Sequence, residues 1–105
     1  MTHDVYKAIA DPTRRQILNM LVSEKLNLNS VADHFDISRP AVSRHIKVLT
    51  ECGLVVIEQQ GRERYCQADV SPLEEVEKWI GPMKKKWEMR FNQLDELLSN
   101  LKSKK

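Results

Sequence analysis

Apolar positions in the first half of the chain recur at three- and four-residue steps, interrupted by residues suited to capping helices. "DVYKAIADPTRRQILNMLVSE" divides at its Ala-Asp-Pro: Val5, Tyr6 and Ile9 form one short apolar face, and Ile17, Leu18 and Leu21 form another. Asp11 suits the cap of the second helix, with Pro12 at its first position, where an N–H has no helical acceptor. Asn27 predicts the cap of a third helix over residues 28–35, whose Leu28, Val31, Ala32 and Phe35 share a face. Ser38 predicts the cap of a fourth, with Pro40 in its first turn and Gly53 at its end.

Past Gly53 the pattern changes. "LVVIEQQ" is short and β-branched, Gly61 supplies a turn and "RERYCQ" follows with Tyr65, so a β-hairpin with a polar tip is predicted. From Pro72 onward Leu73, Val76, Ile80, Met83, Trp87, Phe91, Leu94, Leu98 and Leu101 form a long helical stripe. Gly81-Pro82 interrupts it, predicting either a kink or two successive helices. The closing "KSKK" is expected to fray. The predicted fold class is mainly α with a small β-hairpin and a long C-terminal helix. A single domain is expected over residues 1–105, with a core at about 12–68 that holds the middle helices and the hairpin, flanked by helical elements at about 4–10 and 72–101.

The fourth helix carries the candidate chemistry. Val42, Ile46 and Leu49 share one side, whereas Pro40, Ser43, Arg44 and Lys47 project from the other. Only Asp36 and Ile37 separate it from the preceding amphipathic helix, the tight connection of a helix-turn-helix. In that motif the N-terminal half of the second helix meets base edges in the major groove. Ser43 and Arg44 are placed to read bases, and Arg39 and Lys47 to meet phosphates. Ser38 and Ala41 open the same surface, and His45 flanks the docked side. Arg62 and Arg64 at the hairpin tip suit a wing laid along the backbone or in the minor groove, with Glu58 and Glu63 tempering its charge. A solvated basic surface is the alternative for the helix, and a small sheet completing the core is the alternative for the hairpin.

Composition changes this picture little. The chain has 105 residues, 41% of them hydrophobic and 30% charged, with a net charge of +2, so a DNA partner rests on where the charges sit. No segment is apolar enough to cross a membrane or direct secretion, and a soluble cytoplasmic protein is expected. Cys52 and Cys66 are then expected as reduced thiols. No phosphate loop or serine nucleophile elbow is present, so an enzyme is not expected.

The motifs "AIADPTRRQIL", "ISRPAVSRHIKVL", "ECGLV" and "GRERYCQAD" together resemble the ArsR/SmtB family of bacterial winged-helix repressors. The tail, with Trp79 and Trp87, is similar to a subgroup with a paired-tryptophan C-terminal helix. The resemblance implies a homodimeric transcription repressor, and many such relatives regulate their own operon. The metal ligands typical of the family are missing: "LNLNSVADHF" has no cysteine and the last helix has no histidine. His3, His34, His45, Cys52 and Cys66 remain, with no pair at zinc-ligand spacing, so no metal or other cofactor is expected. A thiol- or ligand-responsive regulator and a winged helix that binds protein are the alternatives.

Met83, Trp87, Phe91, Leu94, Leu98 and Leu101 make a stripe too long for one small domain to cover. A second copy of the same stripe, joined by Val5, Tyr6 and Ile9, is its simplest cover, with folding back on its own domain as the alternative. Such a dimer would present two recognition helices roughly 34 Å apart to double-stranded DNA carrying a near-palindromic operator. Lys84, Lys85 and Lys86 are read as a solvated face.

Overall fold

The computed structural model describes residues 4–103, which form two compact units, one extending to Glu74 and the other starting at Glu75. In the first unit α1 (Val5–Ala10) and α2 (Pro12–Ser23) precede a two-residue strand β1 (Leu26–Asn27), followed by α3 (Leu28–Asp33) and α4 (Arg39–Glu51). Strands β2 (Val55–Gln60) and β3 (Glu63–Ala68) form the hairpin, and a single 3-10 turn (Ser71–Leu73) leads into α5 (Glu74–Ser103). The sheet is antiparallel in the order β1-β3-β2.

Local chemistry explains most boundaries. The Asp11 carboxylate accepts the Thr13 and Arg14 amides at 2.8 and 3.1 Å, satisfying two N–H groups with no helical acceptor. Burial raises the carboxyl's affinity for its proton, but those amides and nearby positive charge outweigh it and hold its pKa below the usual 3.8. Asp11→Ala is expected to lower stability by about 1 kcal/mol in urea unfolding. A depressed folded-state pKa stabilises above the unfolded value and ceases to do so as pH falls through the folded one. The gap between wild type and variant therefore closes with acidification below about pH 4.

The end of α4 is a Schellman motif: Gly53 N–H donates to Thr50 O at 3.0 Å and Leu54 N–H to Leu49 O at 2.9 Å. It requires the left-handed backbone that Gly53 adopts, φ +77°. A Cβ there would meet only Pro72 Cγ at an ordinary 3.5 Å, so Gly53→Ala is a matter of backbone strain. Its expected cost is about 1 kcal/mol, read as a lower thermal midpoint.

The core of the first unit joins Ile17, Leu18 and Leu21 of α2 to Val31, Val42, Ile46 and Leu49 of the helix pair, to Leu54 just past α4, and to Val55 and Cys66 of the sheet. Val5 belongs to this core at 4% exposure, so its side chain is not the dimer surface expected from the sequence, whereas Tyr6 and Ile9 are only half-buried. Helix α3 is shorter than expected: His34 and Phe35 N–H donate to Val31 and Ala32 carbonyls three residues back, tightening the last turn and releasing the chain at His34. The connection to α4 thus spans residues 34–38, not two residues.

In the second unit α5 runs unbroken through Gly81 and Pro82, so the two-helix alternative does not hold. Pro82 has no N–H for the Lys78 carbonyl, which at an exposed position can turn to water. The helix extends through Lys102 and Ser103 of the segment expected to fray, and Lys104 and Lys105 lie outside the described residues.

Candidate nucleic-acid interface

Helix α4 is oriented by its buried side. With Val42, Ile46 and Leu49 at 0–2% exposure, Ser43, Arg44 and Lys47 are directed to solvent along with Ser38, Arg39 and Pro40, while Ala41 and His45 lie half-buried between. Ser38 Oγ accepts the Ala41 amide at 3.2 Å and starts the helix. Among the described residues, Arg44 and Lys47 make no hydrogen bond or ion pair within the protein. Arg39 differs: it reaches Asp33 at 3.6 Å and Asn29 Oδ1 at 3.2 Å, tying the exposed start of α4 to α3.

His45 has a partner that sequence reading missed. Arg14 Nη1 stands 3.2 Å from His45 Nδ1, and since a guanidinium only donates, Nδ1 accepts and Nε2 carries the ring proton. The same guanidinium donates to Ala8 O at 2.7 Å and Lys7 O at 2.9 Å, and Arg15 donates to Ile9 O at 2.8 Å. The two arginines of "DPTRR" thus satisfy the last carbonyls of α1 while Arg14 braces α4 from behind. The visible signal was an arginine pair directly after a capped proline turn, one turn from a helix end.

Register builds the wing. Glu58 faces Tyr65 and Gln60 faces Glu63, which puts Arg64 on the other face with Ile57 and Cys66, the face packed toward α4. Arg62 occupies the turn beside Gly61, whose φ of +63° closes it. Both arginines are exposed. The two acids that temper the wing are engaged: Lys25 Nζ lies 3.0 Å from Glu58 and 5.5 Å from the centre of the Tyr65 ring, and the Tyr65 hydroxyl donates to Glu63 at 2.8 Å. The Lys25 hydrogen bond lowers the Glu58 pKa, and the one Glu63 accepts raises that of Tyr65.

Residues 11–56 match the family described as "Bacterial regulatory protein, arsR family". The transcriptional repressor SdpR of Bacillus subtilis is 32% identical over 78 residues, which cover 74% of this chain and 87% of SdpR. The chain belongs to the ArsR family. The regulator CmtR of Mycobacterium tuberculosis is 42% identical over 64 residues, 60% of this ArsR-family chain but only 54% of CmtR. Among solved structures, the ArsR family transcriptional regulator RHA00566 superposes with TM-score 0.71 at 34% identity, covering 79% of this chain and 86% of that one. An ArsR-like regulator from Rhodococcus sp. RHA1 gives 0.66 at 28% identity, with 89% and 88% covered. This ArsR-family protein is accordingly a DNA-binding transcriptional repressor of winged helix-turn-helix fold, not an enzyme.

Among the described residues no three His, Cys, Asp or Glu side chains stand close enough to share a metal ion, and His3 lies outside them. Desolvation, with Asp4 and Glu51 adding negative charge, pushes the Cys52 thiol up, and burial pushes Cys66 up despite Arg64. Both are thereby poorer in thiolate than a free cysteine. No described helix is long and apolar enough to cross a membrane.

Proposed function

We propose that this repressor binds a near-palindromic operator as a homodimer, placing α4 of each copy in successive major grooves and each wing on flanking DNA. The observation that carries the reading is the outer face of α4. Ser43, Arg44 and Lys47 are held toward solvent by a fully buried opposite stripe, and both cations lack an internal partner among the described residues. In this reading Ser43 and Arg44 read bases. Arg39, Lys47, Arg62 and Arg64 meet phosphates, Arg39 first leaving Asp33, an exposed pairing that costs little to exchange. Ser38, Pro40 and Ala41 bring the start of the helix against the backbone, and His45 sets its docking through Arg14.

The second copy is called for by α5, whose Met83, Trp87, Phe91, Leu94, Leu98 and Leu101 are 43–61% exposed along one face. Tyr6 and Ile9 retain enough exposed surface to add to that interface. As a cytoplasmic regulator it would act on its own promoter. The test is a mobility shift on DNA upstream of its own gene at graded salt. Competitor-resistant binding whose logarithm falls linearly with that of salt supports the reading, and binding indifferent to sequence defeats it. Zinc, a chelator and an oxidant are added in parallel. DNA release by oxidant would favour a thiol sensor over a repressor set by its own abundance.

A further inference from the structure

We propose that the cleft between α4 and the hairpin binds a small amphipathic carboxylate, and that the occupied protein cannot hold DNA. The second half rests on the DNA interface proposed above. The cleft has a volume of 390 Å³, within the range of small-molecule sites. Two periodicities create it. Ser43, Ile46, Lys47 and Thr50 lie at i, i+3, i+4 and i+7 along one ridge of α4. Opposite them, Ile57 and Arg64 share the hairpin face that carries buried Val55 and Cys66.

The lining divides by chemistry. Leu28, Ile46 and Ile57 supply aliphatic walls from three different elements, while Lys47 and Arg64 bring two cations without ion pairs among the described residues. Glu51 also borders the cleft, where the two cations outnumber it and leave positive charge in excess. Thr50 spends its proton on the Ile46 carbonyl at 2.8 Å, so Ser43, Lys47 and Arg64 are the donors left for a ligand. Aliphatic walls select a hydrocarbon body, and a guanidinium beside an ammonium selects an anionic head, with arginine able to grip a carboxylate by two parallel bonds. A DNA phosphate would use the same cations but leave the apolar walls unfilled. Because Ser43, Lys47 and Arg64 are also assigned to DNA, the two ligands compete for the same side chains, and by linkage each weakens the other.

The experiment is an amide-resolved NMR titration of the full chain with octanoate, repeated with octanamide, which keeps the alkyl body but not the charge. Expected are saturable shifts at Ile46, Lys47, Thr50 and Ile57, with octanamide weaker by roughly tenfold. Shifts that never saturate, that map to α5, or that octanamide reproduces equally would overturn the site. Thr50→Phe fills the cleft from a residue outside the DNA set and is expected to abolish the shifts. The octanamide comparison uses wild-type protein and decides the matter if that variant does not fold. In mobility shifts octanoate is expected to weaken operator binding by wild type about tenfold and by Thr50→Phe not at all. Saturable NMR binding with unchanged DNA affinity would overturn the competition. Absence of specific DNA binding before octanoate is added would count against the operator reading instead, while the titration still decides the cleft.

Discussion

Arg44→Ala is expected to weaken operator binding by about 1–3 kcal/mol and to relax preference at one base position in each half-site. Arg44 is exposed on the side of α4 opposite Val42, Ile46 and Leu49, so its removal leaves the packing that orients the helix untouched. A fluorescence anisotropy titration against operators substituted one base pair at a time reads both effects. An equal loss on every sequence would reassign Arg44 to the backbone. Lys47→Ala supplies the contrast: it is expected to weaken all sequences alike and reduce the salt slope by about one unit. An unchanged slope would remove Lys47 from the phosphate contacts.

If α5 forms the proposed homodimer seam, Leu94→Asp is expected to yield monomer and to abolish operator binding at concentrations where wild type saturates the site. The stripe on α5 reads almost the same in both directions. Ile80 and Leu101, Met83 and Leu98, and Trp87 and Leu94 are each equidistant from the Arg90–Phe91 peptide. Two copies laid antiparallel about that point cover one another's apolar residues and bring Lys84 within roughly 3 Å along the axis of Asp95 in the second copy. A carboxylate at Leu94 would be buried against Trp87 of the other chain without a partner, at several kcal/mol for each of two symmetric sites. Trp87→Ala, which also loses the ring stacked on Phe91 at 5.6 Å, is expected to cost about 2–4 kcal/mol of dimer stability. Sedimentation equilibrium measures both. A folded dimer with Asp at position 94 would defeat the antiparallel arrangement. Lower unfolding stability with no change in mass would mean that α5 covers its own domain.

What the sequence determined by itself was the chemistry that acts within a few residues of its origin. Asp11, Asn27 and Ser38 cap the helices they precede because each side chain reaches amides two or three positions on. Gly53 ends α4 because glycine takes the left-handed backbone there without strain, and the 3.6-residue period of Val42, Ile46 and Leu49 fixes which side of α4 is buried. The solvent-facing residues of α4 were legible for the same reason: the outward face of a helix follows from its inward one.

Only the tertiary structure decided what depends on partners far along the chain. Strand β1 is two residues long, too short for an alternation pattern, and exists because Leu26 and Asn27 pair with Cys66 and Tyr65. The Lys25–Glu58 pair and the Arg14–His45 contact each join residues about thirty positions apart. Val5 was expected at a dimer surface because it shares a short apolar face with Tyr6 and Ile9, yet packing buries it in the core of its own unit. At Pro82 the local rule allowed a break, and the helix continues because hydrogen-bonded turns on both sides can absorb one missing donor. The cleft between α4 and the hairpin is of the same kind: its aliphatic walls and its cations belong to separate elements and become neighbours only when the chain folds.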